Sequence, residues 1–136
     1  MSAETAPAVG GLRQCRVRLR TTATADGSTP MRLVFFSDLH WRRRDAHGSE
    51  ALVETVNRAA ADWVIFGGDL ARYLHDLPAA VDILGRLRAR QGKIAVLGNR
   101  ERQYCWLPLE TWRQQYRTVG FRLLLNETFV PEPPTA

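Results

Sequence analysis

Four short apolar runs, separated by segments of helical periodicity, constrain the fold of this chain more than any other feature. They are Leu33–Phe36, Trp63–Phe66, Ile94–Leu97 and Leu123–Leu125. The first three runs are rich in β-branched or aromatic residues, as strands buried on both faces of a parallel sheet usually are. We therefore predict strands near residues 32–37, 63–67, 93–98 and 121–126.

The segments between these runs carry apolar residues at helical spacing. The three sets are Leu52/Val56/Ala59, Leu77/Val81/Leu84/Leu87 and Leu109/Trp112/Tyr116/Val119. Asp76 is placed to cap the second helix, Pro108 stands at the start of the third, and Gly120 follows its end. Alternating strands and helices with right-handed crossovers predict an α/β fold with a mostly parallel sheet and flanking helices.

The chain length of 136 residues corresponds to one domain. We predict a loose tail over residues 1–12, a domain over residues 13–130 and a proline-rich tail over residues 131–136. The alternating pattern of Cys15–Leu19 predicts a further strand. We expect that strand to lie beside the first strand of the sheet, to which the turn-rich segment Thr21–Pro30 connects it.

Composition narrows the classes of partner and the compartment. The formal net charge is +5, but Lys93 is the only lysine among 19 basic residues, and the arginines are dispersed along the chain. Nucleic acid is therefore not expected as a partner except as a substrate. No apolar stretch approaches the roughly 20 residues needed to cross a bilayer, so no membrane partner is expected. Cys15 and Cys105 form no C-x-x-C motif, and we expect a soluble, cytoplasmic protein.

Polar residues follow three successive strands at the point where each strand ends. The segments are Ser37-Asp38-Leu39-His40, Gly67-Gly68-Asp69 and Gly98-Asn99-Arg100-Glu101. The carboxyl ends of parallel strands form the edge at which open α/β sheets bind ligands. Carboxylate, amide and imidazole groups together suit divalent ions of the Mn, Fe or Zn type.

Two details of spacing favour a metal site over isolated turn residues. Asp38 and His40 are two residues apart, so their side chains share a face if the segment is extended. The carboxylate of Asp69 has two oxygens and can bridge two ions about 3.5–4 Å apart. Singly, such residues are typical of helix caps and turns. Three of these signals in order, each after an apolar strand, predict a metal centre.

The three segments resemble the D-x-H, G-D and G-N-H-E motifs of the calcineurin-like metallophosphoesterases. The protein phosphatases of that superfamily carry Asp-Arg-Gly after the second motif, where this chain has Leu70–Tyr73. The chain is therefore more similar to the small bacterial phosphodiesterases of the superfamily. The resemblance implies that the chain is the amino-terminal part of a two-sheet αββα sandwich.

The resemblance also implies two divalent metal ions and a role for each matching residue. Asp38 and His40 would bind the first ion, Asp69 would bridge both ions, and Asn99 would bind the second. The implied activity is the hydrolysis of a phosphodiester or phosphomonoester by a metal-bound hydroxide.

One departure from the family motif lies within the site. Arg100 occupies the position of the family's catalytic histidine, and an arginine stays charged, so it does not act as an ordinary general acid. Arg100 can still stabilise negative charge on a phosphoryl group. His47 and His75 are the remaining candidates for a proton donor.

A second departure is the absence of the family's later histidine motifs, since no histidine follows His75. We therefore expect a domain that is truncated at its carboxyl end or is completed by a second polypeptide. The alternative is a standalone, non-catalytic domain with a degenerate site. Such a domain would bind metal, or would bind phosphate through Arg100 and Arg42–Arg44.

Overall fold

Two β-sheets and four α-helices form the part of the protein described by the computed structural model, namely residues 2–9, 12–18 and 31–131. The strands are β1 (Ser2–Val9), β2 (Leu12–Arg18), β3 (Leu33–Phe36), β4 (Trp63–Phe66), β5 (Gly92–Ala95) and β6 (Phe121–Leu123). The helices are α1 (Ala46–Arg58), α2 (Leu77–Gly85), α3 (Asn99–Gln103) and α4 (Leu109–Thr118).

The larger sheet has the strand order β3-β4-β5-β6, and every neighbouring pair in it is parallel. This arrangement confirms the predicted α/β fold. Strand β5 begins one residue before the predicted range and ends at Ala95, and β6 ends at Leu123. The apolar residues beyond those ends already belong to loops.

The hydrophobic core lies between this sheet and its helices. The crossovers advance in one direction across the sheet, so right-handed connections carry the helices to the same face. Phe66 and Val64 of β4 are fully buried there, with Tyr116 and Trp112 of α4 and Leu84 of α2 in the same cluster.

The opposite face of the sheet differs from the prediction of strands buried on both faces. Leu33 is 54% exposed and Phe35 is 66% exposed, whereas their neighbours Val34 and Phe36 pack against the core. Phe129 packs edge-on against Trp63 on the open face, at 5.1 Å between ring centroids. This face is open because, in the described part of the chain, all four helices lie against the other face of the sheet.

The amino-terminal prediction is wrong in two respects. Strand β2 pairs antiparallel with β1 in a separate two-stranded sheet and does not lie beside β3. Ser2–Val9, predicted as part of a loose tail, is a strand because its backbone groups pair with those of Leu12–Arg18. Leu19, the Thr21–Pro30 turn and residues 132–136 of the proline-rich tail lie outside the described residues.

The helix ends follow the predicted signals with one exception. Helix α2 begins at Leu77 with Pro78 in its first turn, and α4 begins directly after Pro108. Gly120 follows α4 with a φ of +79°, a conformation that glycine adopts without steric cost. Asp76 stands at the N-cap of α2, but its side chain makes no capping hydrogen bond.

Lys93 connects the sheet to the ends of two helices. Its Nζ donates hydrogen bonds to the backbone oxygens of Leu87, at 3.0 Å, and Val119, at 2.7 Å, just beyond α2 and α4. It also lies 4.9 Å from the centroid of the Phe121 ring. Partial burial lowers the pKa of this amine. A cation at these positions complements the negative ends of both helix dipoles.

Candidate metal centre

The loops that follow β3 and β4 are held together by backbone hydrogen bonds. The N–H of Asp38 donates to the Gly68 carbonyl at 2.9 Å, and that of His40 donates to the Asp69 carbonyl at 3.0 Å. The Trp41 N–H donates to the Leu70 carbonyl at 2.9 Å. The hydrogen-bond pattern of the parallel sheet thus continues past the strand ends. It places Asp38 and His40 beside Asp69.

Asp38, His40 and Asp69 come together as the sequence predicted. One ligand atom from each residue lies within 4.8 Å of the other two. The Nε2 atom of His40 is 3.8 Å from Asp38 Oδ1 and also 3.8 Å from Asp69 Oδ2. The Asp38 side chain is 64% exposed, whereas that of Asp69 is 9% exposed. The group therefore has one buried side and one side open to solvent.

The backbone brings these side chains together in a different way from the one predicted. Asp38, His40 and Asp69 have φ angles of 58°, 42° and 60°, so none of them is extended. The expectation that Asp38 and His40 share a face of an extended segment is therefore wrong. Left-handed conformations at non-glycine residues cost of order 1–3 kcal/mol each and concentrate at functional sites.

The glycines next to the ligands allow the loops to approach closely. Gly68 has a φ of +94°, and a Cβ atom there would overlap the backbone of Gly98. A Cβ atom on Gly98 would in turn overlap the carboxylate of Asp69. A side chain at either position would push the β4 and β5 loops apart, which is the physical reason for the Gly-Asp and Gly-Asn pairs.

Asn99 lies directly against Asp69, as predicted for the fourth ligand. With the amide nitrogen turned inward, Asn99 donates to Asp69 Oδ1 at 3.1 Å and Oδ2 at 2.7 Å. With the amide oxygen turned inward, that oxygen would face the carboxylate oxygens of Asp69, which is unfavourable unless a cation lies between them. The Nδ1 atom of His40 is buried without a hydrogen-bond partner in the described residues. The donor set of carboxylates, imidazole and amide fits divalent transition metals.

Glu101 connects the loops that follow β4 and β5, a role that the sequence analysis did not predict. Its carboxylate is 3% exposed and accepts backbone N–H groups from Gly98, Asp69 and Leu70 at 2.8, 2.9 and 2.7 Å. A signal was present in the sequence, since a glutamate three residues after a helix N-cap forms half of a capping box. What the spacing did not reveal is that the same carboxylate also holds the Asp69 loop.

Arg100 lies beside the cluster through its backbone. Its N–H donates to Asp69 Oδ1 at 2.8 Å. Its guanidinium makes no hydrogen bond or ion pair with any residue between 31 and 131. The side chain is half-buried and lines a small cavity together with Glu101 and Tyr104.

The two histidines considered as proton donors lie outside the cluster. His47 is exposed on α1, and His75 is exposed in the turn before α2, where it stacks on Tyr73. The structure thus brings together Asp38, His40, Asp69, Asn99 and the backbone of Arg100, but neither of these histidines.

Tyr116 lies in the core, close enough to Glu101 and Asp69 for their charges to act on its phenol. Burial, followed by the negative charges of Glu101 and Asp69, raises the pKa of its phenol. The hydroxyl has no hydrogen-bond partner in the described residues. The carboxylates of Glu101 and Asp69 therefore lie next to a buried part of the core in which the effective dielectric constant is low.

The fold and this cluster agree with the comparison with known families. The sequence model of the calcineurin-like phosphoesterases matches residues 31–134. The chain therefore belongs to the calcineurin-like phosphoesterase family. Comparisons with curated proteins and with solved structures return no match. No helix in the described part of the chain is both long enough and apolar enough to span a membrane.

Proposed function

We propose that the protein hydrolyses a phosphoester, either a phosphodiester or a small phosphomonoester, with two divalent ions of the Mn, Fe or Zn type. The single observation that carries the proposal is the cluster of Asp38, His40 and Asp69 at the carboxyl edge of a parallel sheet, with ligand atoms within 4.8 Å of one another. Family membership and the chemistry of the donor set support the same conclusion.

Each residue of the cluster has a proposed role. Asp38 and His40 would hold the first ion, Asn99 would hold the second, and Asp69, the more buried of the two carboxylates in the cluster, would bridge them. When bound, such ions supply Lewis-acid chemistry that activates water and neutralises charge on phosphoryl oxygens. The backbone N–H of Arg100 keeps Asp69 oriented for this role.

Arg100 determines which substrates react well. Its guanidinium makes no hydrogen bond or ion pair with any residue between 31 and 131, and the side chain lines the small cavity beside Glu101. Because arginine does not release a proton near neutral pH, the leaving group receives no proton from this residue. We therefore propose that phosphoesters with good leaving groups are hydrolysed fastest.

The solvent-exposed side of the cluster leaves room for ligands from a further partner. Asp38 and Asn99 are exposed, so one side of each predicted ion site faces solvent. We propose that a second polypeptide segment supplies the remaining ligands there.

The second candidate function is a non-catalytic domain that binds metal or phosphate. Arg100 at the position of the family's histidine favours it, because the site then lacks a proton donor. This reading predicts metal and phosphate binding without turnover.

Hydrolysis of bis(4-nitrophenyl) phosphate in the presence of manganese tests the proposal. We expect turnover by the wild-type protein and at least a hundredfold loss in Asp69→Asn, because a bridging carboxylate contacts both ions. Asp82→Asn is the matched control, since Asp82 is an exposed carboxylate on α2. Manganese binding by calorimetry without turnover would instead support the binding domain. Equal turnover by wild type and Asp69→Asn would contradict the assigned site.

A further inference from the structure

Each carboxylate of the cluster has one oxygen bound to a donor of the protein and one oxygen near His40. Asp38 Oδ2 accepts the hydroxyl of Ser37, and Asp38 Oδ1 lies 3.8 Å from His40 Nε2. Asp69 Oδ1 accepts the backbone N–H of Arg100 at 2.8 Å, and Asp69 Oδ2 lies 3.8 Å from the same imidazole nitrogen. The protein donors thus engage two of the four carboxylate oxygens and leave the two that lie near His40.

The separation of these atoms suits one shared ion. Nitrogen and oxygen ligands lie about 2.0–2.2 Å from a zinc ion, so two ligands of the same ion are at most about 4 Å apart. The two oxygens near His40 are each 3.8 Å from its Nε2 atom, which is within that limit. They are therefore the oxygens that an ion in the cluster would contact.

The backbone on both sides of Ser37 is fixed by the loop that follows β4. The Gly67 N–H donates to the Phe36 carbonyl at 2.8 Å, and the Asp38 N–H donates to the Gly68 carbonyl at 2.9 Å. A Cβ atom on Gly67 would lie only 2.7 Å from the Cβ atom of Ser37, so the glycine leaves room for the serine. The half-buried Ser37 side chain therefore projects from a fixed point beside Asp38.

The Asp38 carboxylate has no other hydrogen-bond donor to hold it. Its side chain is 64% exposed, and among residues 31–131 only Ser37 donates a hydrogen bond to it. Ordering a side chain costs conformational entropy, which an unsupported carboxylate would lose when the ion binds. Hydrogen bonds from a hydroxyl to a charged acceptor are among the stronger ones in proteins. Ser37 thus orders the carboxylate before the ion arrives.

We infer that Ser37 is a positioning residue of the metal centre, whose hydroxyl holds Oδ2 of Asp38 and leaves Oδ1 for the ion. Ser37 acts through Asp38 and is not itself a ligand. This inference rests on the proposed function, because it takes Asp38 to be a metal ligand.

Calorimetric titration of the full chain with manganese measures the effect without relying on turnover. Ser37→Ala should bind manganese about tenfold more weakly than the wild type, because loss of a hydrogen bond to a ligating group typically costs 10- to 100-fold in metal affinity. The urea midpoint of the metal-free Ser37→Ala protein should equal that of the wild type, since the backbone hydrogen bonds around residue 37 remain.

Thr118→Ala is the matched control. The Thr118 hydroxyl donates to the Gln115 carbonyl at 2.7 Å at the end of α4, next to the amino end of β6. It therefore makes a local hydrogen bond at the sheet edge opposite to the cluster. Its removal should leave the manganese affinity within twofold of the wild type.

A double-mutant cycle with Asp38→Ala tests whether Ser37 acts through Asp38. Zinc is the metal for all four proteins of the cycle, because it binds such ligands more tightly than manganese and keeps weak variants measurable. In the wild-type background Ser37→Ala should weaken zinc binding about tenfold. In the Asp38→Ala background it should change the affinity less than twofold, because the group on which Ser37 acts is gone.

The outcomes separate this inference from the proposed function. A wild-type protein that binds neither manganese nor zinc contradicts both. Metal binding by the wild type with Ser37→Ala within twofold of it overturns the role of Ser37 alone. A tenfold loss that persists in the Asp38→Ala background, or a lower urea midpoint of metal-free Ser37→Ala, also overturns that role, because Ser37 would then act on the loop as a whole.

Discussion

The Oε2 atom of Glu101 lies 2.9 Å from the backbone nitrogen of Asp69, and the same oxygen lies 2.8 Å from that of Gly98. One buried carboxylate thus fixes the relative position of two loops that carry predicted metal ligands. Hydrogen bonds to a charged acceptor contribute about 1.5–3 kcal/mol each, more than neutral ones. The candidate metal centre is therefore held in shape by a residue that is not one of its predicted ligands.

Glu101→Gln should weaken manganese binding about tenfold, because changes to residues that hydrogen-bond the metal-binding residues typically cost 10- to 100-fold in metal affinity. The amide keeps one acceptor oxygen but presents an N–H₂ group to backbone donors, so the free energy of unfolding should also fall by about 1–3 kcal/mol. Calorimetric titration with manganese and urea denaturation measure the two effects. Glu110→Gln, on the exposed first turn of α4, is the control. Unchanged metal affinity in Glu101→Gln would show that the loops keep their positions without this carboxylate.

Arg100→His should raise turnover of substrates with poor leaving groups, by about 10²-fold or more, because the histidine supplies a proton that arginine does not. Activated aryl esters should change little, since their leaving groups need no proton. The kcat values for a nitrophenyl diester and an alkyl diester measure the difference. A fall with both substrates would mean that the Arg100 guanidinium already has its own function at the phosphoryl group.

Tyr116→Phe should leave the protein as stable at pH 7 or stabilise it by up to about 1 kcal/mol, because the deleted hydroxyl is buried without a partner in the described residues. The pH dependence should change as well. The phenol has a pKa of 10.0 in the unfolded chain and a raised pKa in the folded state. Above pH 10 the unfolded state has lost a proton that the folded state retains, so the wild type loses stability as pH rises.

Urea unfolding at pH 7, 10 and 11 measures this effect as the difference between wild type and Tyr116→Phe. The variant should lose less stability between pH 10 and 11. Parallel losses in both proteins would indicate that the Tyr116 hydroxyl ionises as readily in the fold as in the unfolded chain.

Lys93→Met should lower the free energy of unfolding by about 1–3 kcal/mol, because the carbonyls of Leu87 and Val119 lose their donor at partly buried positions. Arg117→Met, which removes an exposed cation from α4, is the control and should have an effect within about 0.5 kcal/mol. Chemical denaturation measures both. A Lys93→Met variant as stable as the control would mean that water replaces the ammonium at these helix ends.

The parallel sheet and the convergence of the ligands could be predicted from the sequence because both follow from topology. Once Val64 and Ile94 lie in parallel strands, their carboxyl ends meet at one edge, whatever the loop conformations are. Asp69 and Asn99 had to lie close together for that reason. The left-handed backbone at Asp38 and His40 could not be predicted, because it depends on hydrogen bonds to the neighbouring loop.

Burial of the strands was less predictable than their existence. The run Leu33–Phe36 is apolar throughout, and an apolar run does not indicate whether one face or both faces of a strand are covered. Phe35 is exposed because the helices of the described chain lie on the other face. Strand β1 was missed because Ser2–Val9 contains few strand-forming residues, and its pairing with β2 outweighs that weak preference.

The positive φ angles at Asp38 and His40 set stability and activity against each other. Glycine adopts such conformations without steric cost, so Asp38→Gly or His40→Gly relieves backbone strain while deleting a predicted metal ligand. Replacing His40 also removes a buried nitrogen that has no partner in the described residues. A directed-evolution screen for thermal resistance alone would therefore enrich for inactive variants at these two positions. Only a screen that also selects for metal retention would keep the strained residues.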